Sequence, residues 1–157
     1  MHASRTDHAA VTALLGRAPL AAFAVVVRRV GSGAPVVIRN APLLADGTPM
    51  PTRYWLVDRE LALAVSRLEA EGGVRAAEEA VDAEALATTH ERYAVERDAA
   101  LPPGHAGPRP SGGVGGTRRG VKCLHAHLAN LLAGNADPVG EWVAARVESP
   151  ISTEPLT

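Results

Sequence analysis

Apolar positions are dense and rich in β-branched residues over the first third of the chain, then change to helical spacing near Asp58. "TDHAAVTALLGR" sets Val11, Leu14 and Leu15 on one side, offers Asp7 as an N-cap and stops at Gly16, which predicts a short helix from about 7 to 15. "AAFAVVVRRV" and "PVVIRN" flank "GSGA", a hairpin signal; "ADGTPMPT" turns the chain and "RYWLV" reads as a third strand. From Asp58, a predicted N-cap, Leu61, Val65 and Leu68 share one helical face until Gly72-Gly73. "VRAAEEAV" continues as a short helix. "DAEALATTHERYAVERDAAL" forms a longer one with Leu86, His90, Tyr93 and Arg97 along a single stripe.

Residues 102–120 hold four prolines and seven glycines and read as a loop. A helix from about 120 to 133 follows, and "DPVGEWVAARV" opens another with Asp at the N-cap and Pro at the first helical position. The pattern predicts an α+β fold, a small antiparallel sheet of about three strands packed against four to five helices. Residues 1–148 form one domain in this reading, with the loop 102–119 as a mobile lid and 149–157 as a flexible tail.

Composition narrows the chemistry. Aromatics are 3% of 157 residues, so Ala, Val and Leu must fill the core. Sixteen basic and 17 acidic residues give a net charge of −1, which supplies no general field for nucleic acid. The run "PLAAFAVVV" is far shorter than the roughly 20 residues of a membrane helix and lacks the pattern of a secretory signal. No membrane insertion is expected. The single cysteine leaves no partner for an internal disulfide and fits a reducing, cytoplasmic location.

That cysteine stands in "TRRGVKCLHAHLANLLAG" beside the only lysine. Read as first-turn residues of a helix, Cys123 and its neighbours lie where free N–H groups and the helix dipole favour negative charge. Lys122 adds a cation, and both effects would raise the thiolate fraction of Cys123. The preceding glycines, with Gly115 and Gly116 nearest, let backbone N–H groups approach an oxyanion, and Arg118, Arg119 and Lys122 supply charge. The spacing is not that of a Walker loop, nor the Cys-x5-Arg of thiol phosphatases. Helical geometry brings Cys123 and His127 together, with Asn130 one turn further and His125 at the margin of the buried stripe. His90, Tyr93, Arg97 and His127 are read as the wall of a polar pocket, the alternative for the stretch "HERYAVERD" being a salt-bridge-laced helix with Glu96 paired to Arg92 and Tyr93 in the core. Cys123 and His127 at i, i+4, with His125, His90 or His105, form a candidate metal set, but no Cys-x-x-Cys or His-Glu-x-x-His pattern supplies a second ligand pair, so zinc is disfavoured and no metal ligand is assigned.

The ordered blocks "GAPVVIRNAPLLADGTPMPTRYWL", "RLEAEGG", "HERYAVERD" and "GVKCLHAHLANLLAGN" resemble a bacterial family of unknown function numbered 501, common in actinobacteria. The resemblance spans about residues 24–147 and is most specific at Lys122-Cys123-Leu124-His125, then at Asp46–Thr52. It implies a cytoplasmic protein near phosphate metabolism or the cell envelope, with a functional link to an exopolyphosphatase-like protein. Family patterns place a cysteine after the first strand, where this chain has Arg28-Arg29-Val30, and often a His or Cys at the end of the third, where it has Val57-Asp58. Position 127 varies in that pattern, which shifts weight to Lys122, Cys123 and His125.

The leading expectation is a module that binds a phosphate-bearing or other anionic small molecule, or an acidic protein segment, at the Gly-rich loop and helix terminus. A second is a hydrolase or transferase with Cys123 as nucleophile and His125 as proton carrier. A third is an interaction module with no small-molecule site.

Overall fold

A computed structural model describes residues 2–147 and, as backbone, 153–155. The expected hairpin is present: β1 (Ala21–Arg29) runs antiparallel to β2 (Pro35–Leu44), with Ala24 opposite Arg39 and Val25 opposite Ile38. β3 (Tyr54–Leu56) lies on the far side of β2, and β4 (Thr153–Pro155) on the free side of β1, giving the order β3-β2-β1-β4. The last strand falls inside the stretch 149–157 expected to be a loose tail. Its partner is β1, with Thr153 opposite Arg29; the rest of that stretch lies outside the described residues.

The sheet separates two apolar clusters. On one face, helix α1 (Arg5–Leu15) sends Val11 onto Phe23, Val25, Ile38 and Val57. A register shift between Val25 and Val27 breaks the alternation of β1, so Val26 and Val27 pack instead with the larger cluster. That cluster is built against helices α2 (Arg59–Ala70), α3 (Gly73–Ala80), α4 (Ala83–Ala99), α5 (Leu124–Leu132) and α6 (Pro138–Ala144). Among the described residues there are six α-helices rather than four or five.

Helix starts follow the caps. Asp58 and Asp137, the predicted caps, accept from the backbone N–H three residues on, and Asp82 does the same for α4. In α1 the cap is Ser4, not Asp7: Ser4 Oγ accepts from Asp7 N, which frees the Asp7 carboxylate to pair with Arg28 at 2.7 Å. Among the described residues no helix is long and apolar enough to cross a membrane.

The segment 102–119 is tied to the core at its centre. Val114, in a single 3-10 turn (Val114–Gly116), is fully buried, its N–H donated to His90 Nδ1 at 3.0 Å. Gly113 is required there, because a Cβ would stand 2.5 Å from His90 Cβ.

Candidate functional site

Helix α5 begins one turn later than its apolar pattern suggests. Gly120 takes a left-handed conformation, φ 64°, and Cys123 is the extended N-cap residue, φ −141° and ψ 112°. Being outside the helix, Cys123 does not obey the i, i+4 rule, and the expected meeting with His127 does not occur. His127 instead turns into the core, with Nδ1 2.9 Å from both carboxylate oxygens of Asp137, which also accepts from Asn130. The thiol meets His125: Cys123 Sγ lies 4.0 Å from Nδ1.

A third group completes the cluster. Glu69, on the last turn of α2, brings Oε1 to 3.3 Å from His125 Nδ1, and its Oε2 accepts from Leu124 N at 2.9 Å. One ligand atom from each of Glu69, Cys123 and His125 lies within 4.8 Å of the others, and all three residues are partly buried. On the other side of the imidazole, Nε2 is 3.0 Å from the Ala62 carbonyl and 3.1 Å from Ser66 Oγ. A carbonyl only accepts, so Nε2 carries the hydrogen. When the ring is neutral, the lone pair on Nδ1 faces the sulfur and the carboxylate. The adjacent Cys123 raises the His125 pKa most strongly; burial opposes this, and the Ala62 carbonyl and Glu69 reinforce it.

The same contacts answer the anion expectation. The first N–H of α5 is already donated to Glu69, and Val121 N is donated to Glu78 Oε1 at 2.7 Å. Glu69 therefore sits at the positive end of the helix, where it would compete with an external phosphate. Gly115 passes close over Cys123, a Cβ there lying 3.4 Å from Cys123 Cβ, while Gly116 has open space beside it. Lys122, Arg118 and Arg119 are exposed. The two arginines line a cavity of about 320 Å³ with His90, Leu86 and Glu78.

Of the four residues expected to wall a pocket, His90 lines that cavity and Tyr93 lines another, with Glu96 and Asn135. All four are buried, and three of them cross-link the chain. Tyr93 Oη accepts from Arg53 N and Tyr54 N; Arg97 donates to the Pro51 and Gly112 carbonyls; His90 Nε2 donates to Gly120 O. His127 keeps its Nε2 buried without a partner.

Sequence reasoning missed Glu69, although "RLEAEGG" contains it. A signal was present: a carboxylate on the last turn of a helix opposes the dipole, which marks it for another task. At the positions where the resemblance expected sulfur or imidazole, Arg29 Nε donates to Asp58 Oδ2 at 2.5 Å, an ion pair that offers no such ligand. No curated protein and no solved structure matches the chain. Residues 26–145, most of the chain and the whole of the Glu69, Cys123 and His125 cluster, match the family described as "Protein of unknown function (DUF501)", and the chain belongs to that family.

Proposed function

We propose that this is a metal-binding protein in which Glu69, Cys123 and His125 hold a divalent ion of the zinc class, leaving a fourth position for water or a ligand atom. The observation that carries the reading is the tautomer of His125. With Nε2–H committed to Ala62 O, a neutral ring aims its lone pair at a thiol and a carboxylate, so that three donor atoms converge where a cation could be held in place of a proton.

Donor chemistry and spacing agree. Thiolate and imidazole select zinc over magnesium or calcium, and a thiolate with a carboxylate neutralises its double charge. Tetrahedral zinc sets its ligand atoms roughly 3.3–3.6 Å apart, given bond lengths of about 2.0–2.3 Å. The nitrogen–oxygen separation of 3.3 Å already fits, and the sulfur, 4.0 Å from the nitrogen and within 4.8 Å of the carboxylate, would draw inward on binding. Outer contacts are also in place: the Ala62 carbonyl orients the imidazole and Leu124 N orients the carboxylate. Three protein ligands are the number found where zinc activates water or polarises a substrate.

The test is elemental analysis of purified protein together with cobalt substitution. One equivalent of zinc is expected, with a thiolate-to-cobalt charge-transfer band that disappears in Cys123→Ser, and weaker binding in Glu69→Gln. Metal-free protein that fails to take up zinc at micromolar concentration would falsify the proposal.

One observation favours a second reading. Cys123 Sγ lies 4.0 Å from His125 Nδ1 and is the leading cause of the raised His125 pKa, as in a cysteine–histidine catalytic pair. Cys123 would then be a nucleophile with His125 as proton carrier. Rapid alkylation of a metal-free sample by iodoacetamide near neutral pH supports this reading, and slow alkylation removes it.

A further inference from the structure

We infer that the concave surface shared by Arg39 and Arg53 is a second binding site, for the phosphate or carboxylate group of a small molecule. Arg39 and Arg53 line one cavity of about 240 Å³ together with His2, Phe23, Pro42 and the small side chains of Ala22, Ala24 and Ala41. Among the described residues neither arginine is in an ion pair. Glu96, whose charge reaches Arg53, accepts a hydrogen bond from the Tyr54 hydroxyl instead.

Arg53 is held in place with unusual thoroughness. Its N–H donates to Tyr93 Oη at 2.5 Å and its carbonyl accepts from Asn40 N at 2.7 Å. A guanidinium nitrogen donates to Asn40 O at 2.9 Å, and Asn40 Nδ2 fixes the preceding Thr52 carbonyl at 3.1 Å. Its Nε is buried without a partner. The "DGTPMPT" block supplies the bend that delivers it: Asp46 Oδ1 accepts from Thr48 N, and Met50 N returns to Pro42 O. The second-most specific block of the sequence thus presents one cation rigidly beside another.

Burial pushes the Arg53 pKa down and the neighbouring Arg39 adds to this, while Tyr54, Glu96 and Tyr93 oppose it. Two like charges share one half-enclosed place where the nearby Glu96 is already hydrogen-bonded to Tyr54, so a further negative group would offset their repulsion. The planar forks of two arginines match the oxygens of a phosphate or carboxylate.

Full-length protein is titrated with inorganic phosphate and, separately, with succinate, against chloride at equal ionic strength, by thermal shift and calorimetry. A saturable rise in Tm with one of the two oxyanions is expected, and which one responds identifies the group recognised. Arg39→Gln is expected to weaken binding at least about tenfold. Without ligand the same variant melts no lower than the parent, because a repulsion has been removed. Arg118→Gln and Cys123→Ser retain the shift, which separates this site from the loop cations and from the metal cluster. No shift beyond chloride with either ion, or a shift that survives Arg39→Gln, overturns the inference.

Discussion

His90 and His127 meet edge to face with ring centroids 5.8 Å apart, yet their nitrogens are committed differently. His90 accepts at Nδ1 from Val114 N and donates from Nε2 to Gly120 O, which fixes the neutral tautomer. Protonating Nδ1 would set one N–H against another inside the core. Burial therefore lowers the His90 pKa; the Gly120 carbonyl opposes this, His127 adds to it and Asp137 opposes it weakly. The unfolded chain, with an ordinary histidine near 6.5, binds a proton that the folded one refuses. This contribution to stability is complete above that ordinary value and is lost as pH falls from it through the folded pKa. Urea unfolding at pH 7.5 and 5.5 should show a steeper loss for the parent than for His90→Gln, with a difference of at most about 1.4 kcal/mol per pH unit, one proton's worth. Equal slopes would mean that His90 titrates as a free histidine. Residue geometry also decides which histidine meets Cys123: it is His125, to which the family resemblance shifts weight, and not His127. A helical wheel assumes helical φ and ψ, and Cys123 has neither, so the ring two residues away is reached in place of the ring four away.

Element boundaries were legible wherever the cap is local. Asp137-Pro138 announces α6, and Asp137 Oδ1 accepts from Gly140 N at 2.9 Å. The start of α5 was not legible, because what finishes it comes from elsewhere: Glu78 takes Val121 N and Glu69 takes Leu124 N, 43 and 55 residues away in sequence. Buried Val121 extended the apolar pattern backward past the true N-terminus. Asp137 does more than cap α6. Its carboxylate, 1% exposed, also receives His127 Nδ1 and Asn130 Nδ2, and so joins α6 to α5. Asp137→Ala removes a cap and strands two buried donors, at an expected cost of about 3–5 kcal/mol in chemical denaturation. Asp137→Asn retains an oxygen for Gly140 N and should lose less. A loss under about 1 kcal/mol for the alanine variant would show that the junction is held by apolar packing alone.

At the scale of the molecule, the α+β class, the hairpin and the positions of the helices follow from periodicity, which is local. What brings distant segments together does not. The stripe of His90, Tyr93 and Arg97 was read as a pocket wall because polar residues interrupt an apolar face. Most of those polar groups instead satisfy backbone atoms of irregular segments that have no ladder or helix to satisfy them. Glu69 joins Cys123 and His125 only because α2 packs beside α5, a contact that no window of sequence contains.

Arg97 is the clearest case of such a long-range tie. Its side chain is 1% exposed and donates to the Pro51 carbonyl at 3.1 Å, the Gly112 carbonyl at 2.9 Å and Asp98 Oδ1 at 3.0 Å. One guanidinium therefore fastens α4 to the connection before β3 and to the glycine-rich segment that passes over Cys123. Arg97→Met keeps much of the volume but removes every donor, leaving two carbonyls without their partner. A loss of at least about 2 kcal/mol is expected. Global destabilisation alone does not test the tie, so the second measurement is local. Trypsin cuts poorly at Arg109-Pro110 but can attack after Arg118 and Arg119, both exposed at the far end of the segment. If Arg97 anchors that segment, cleavage there in Arg97→Met should speed up by more than in Asp137→Asn or another variant of equal global stability, since a local opening then exposes the bond. Cleavage that follows global stability alone would assign Arg97 to the core in general and release the segment from its control.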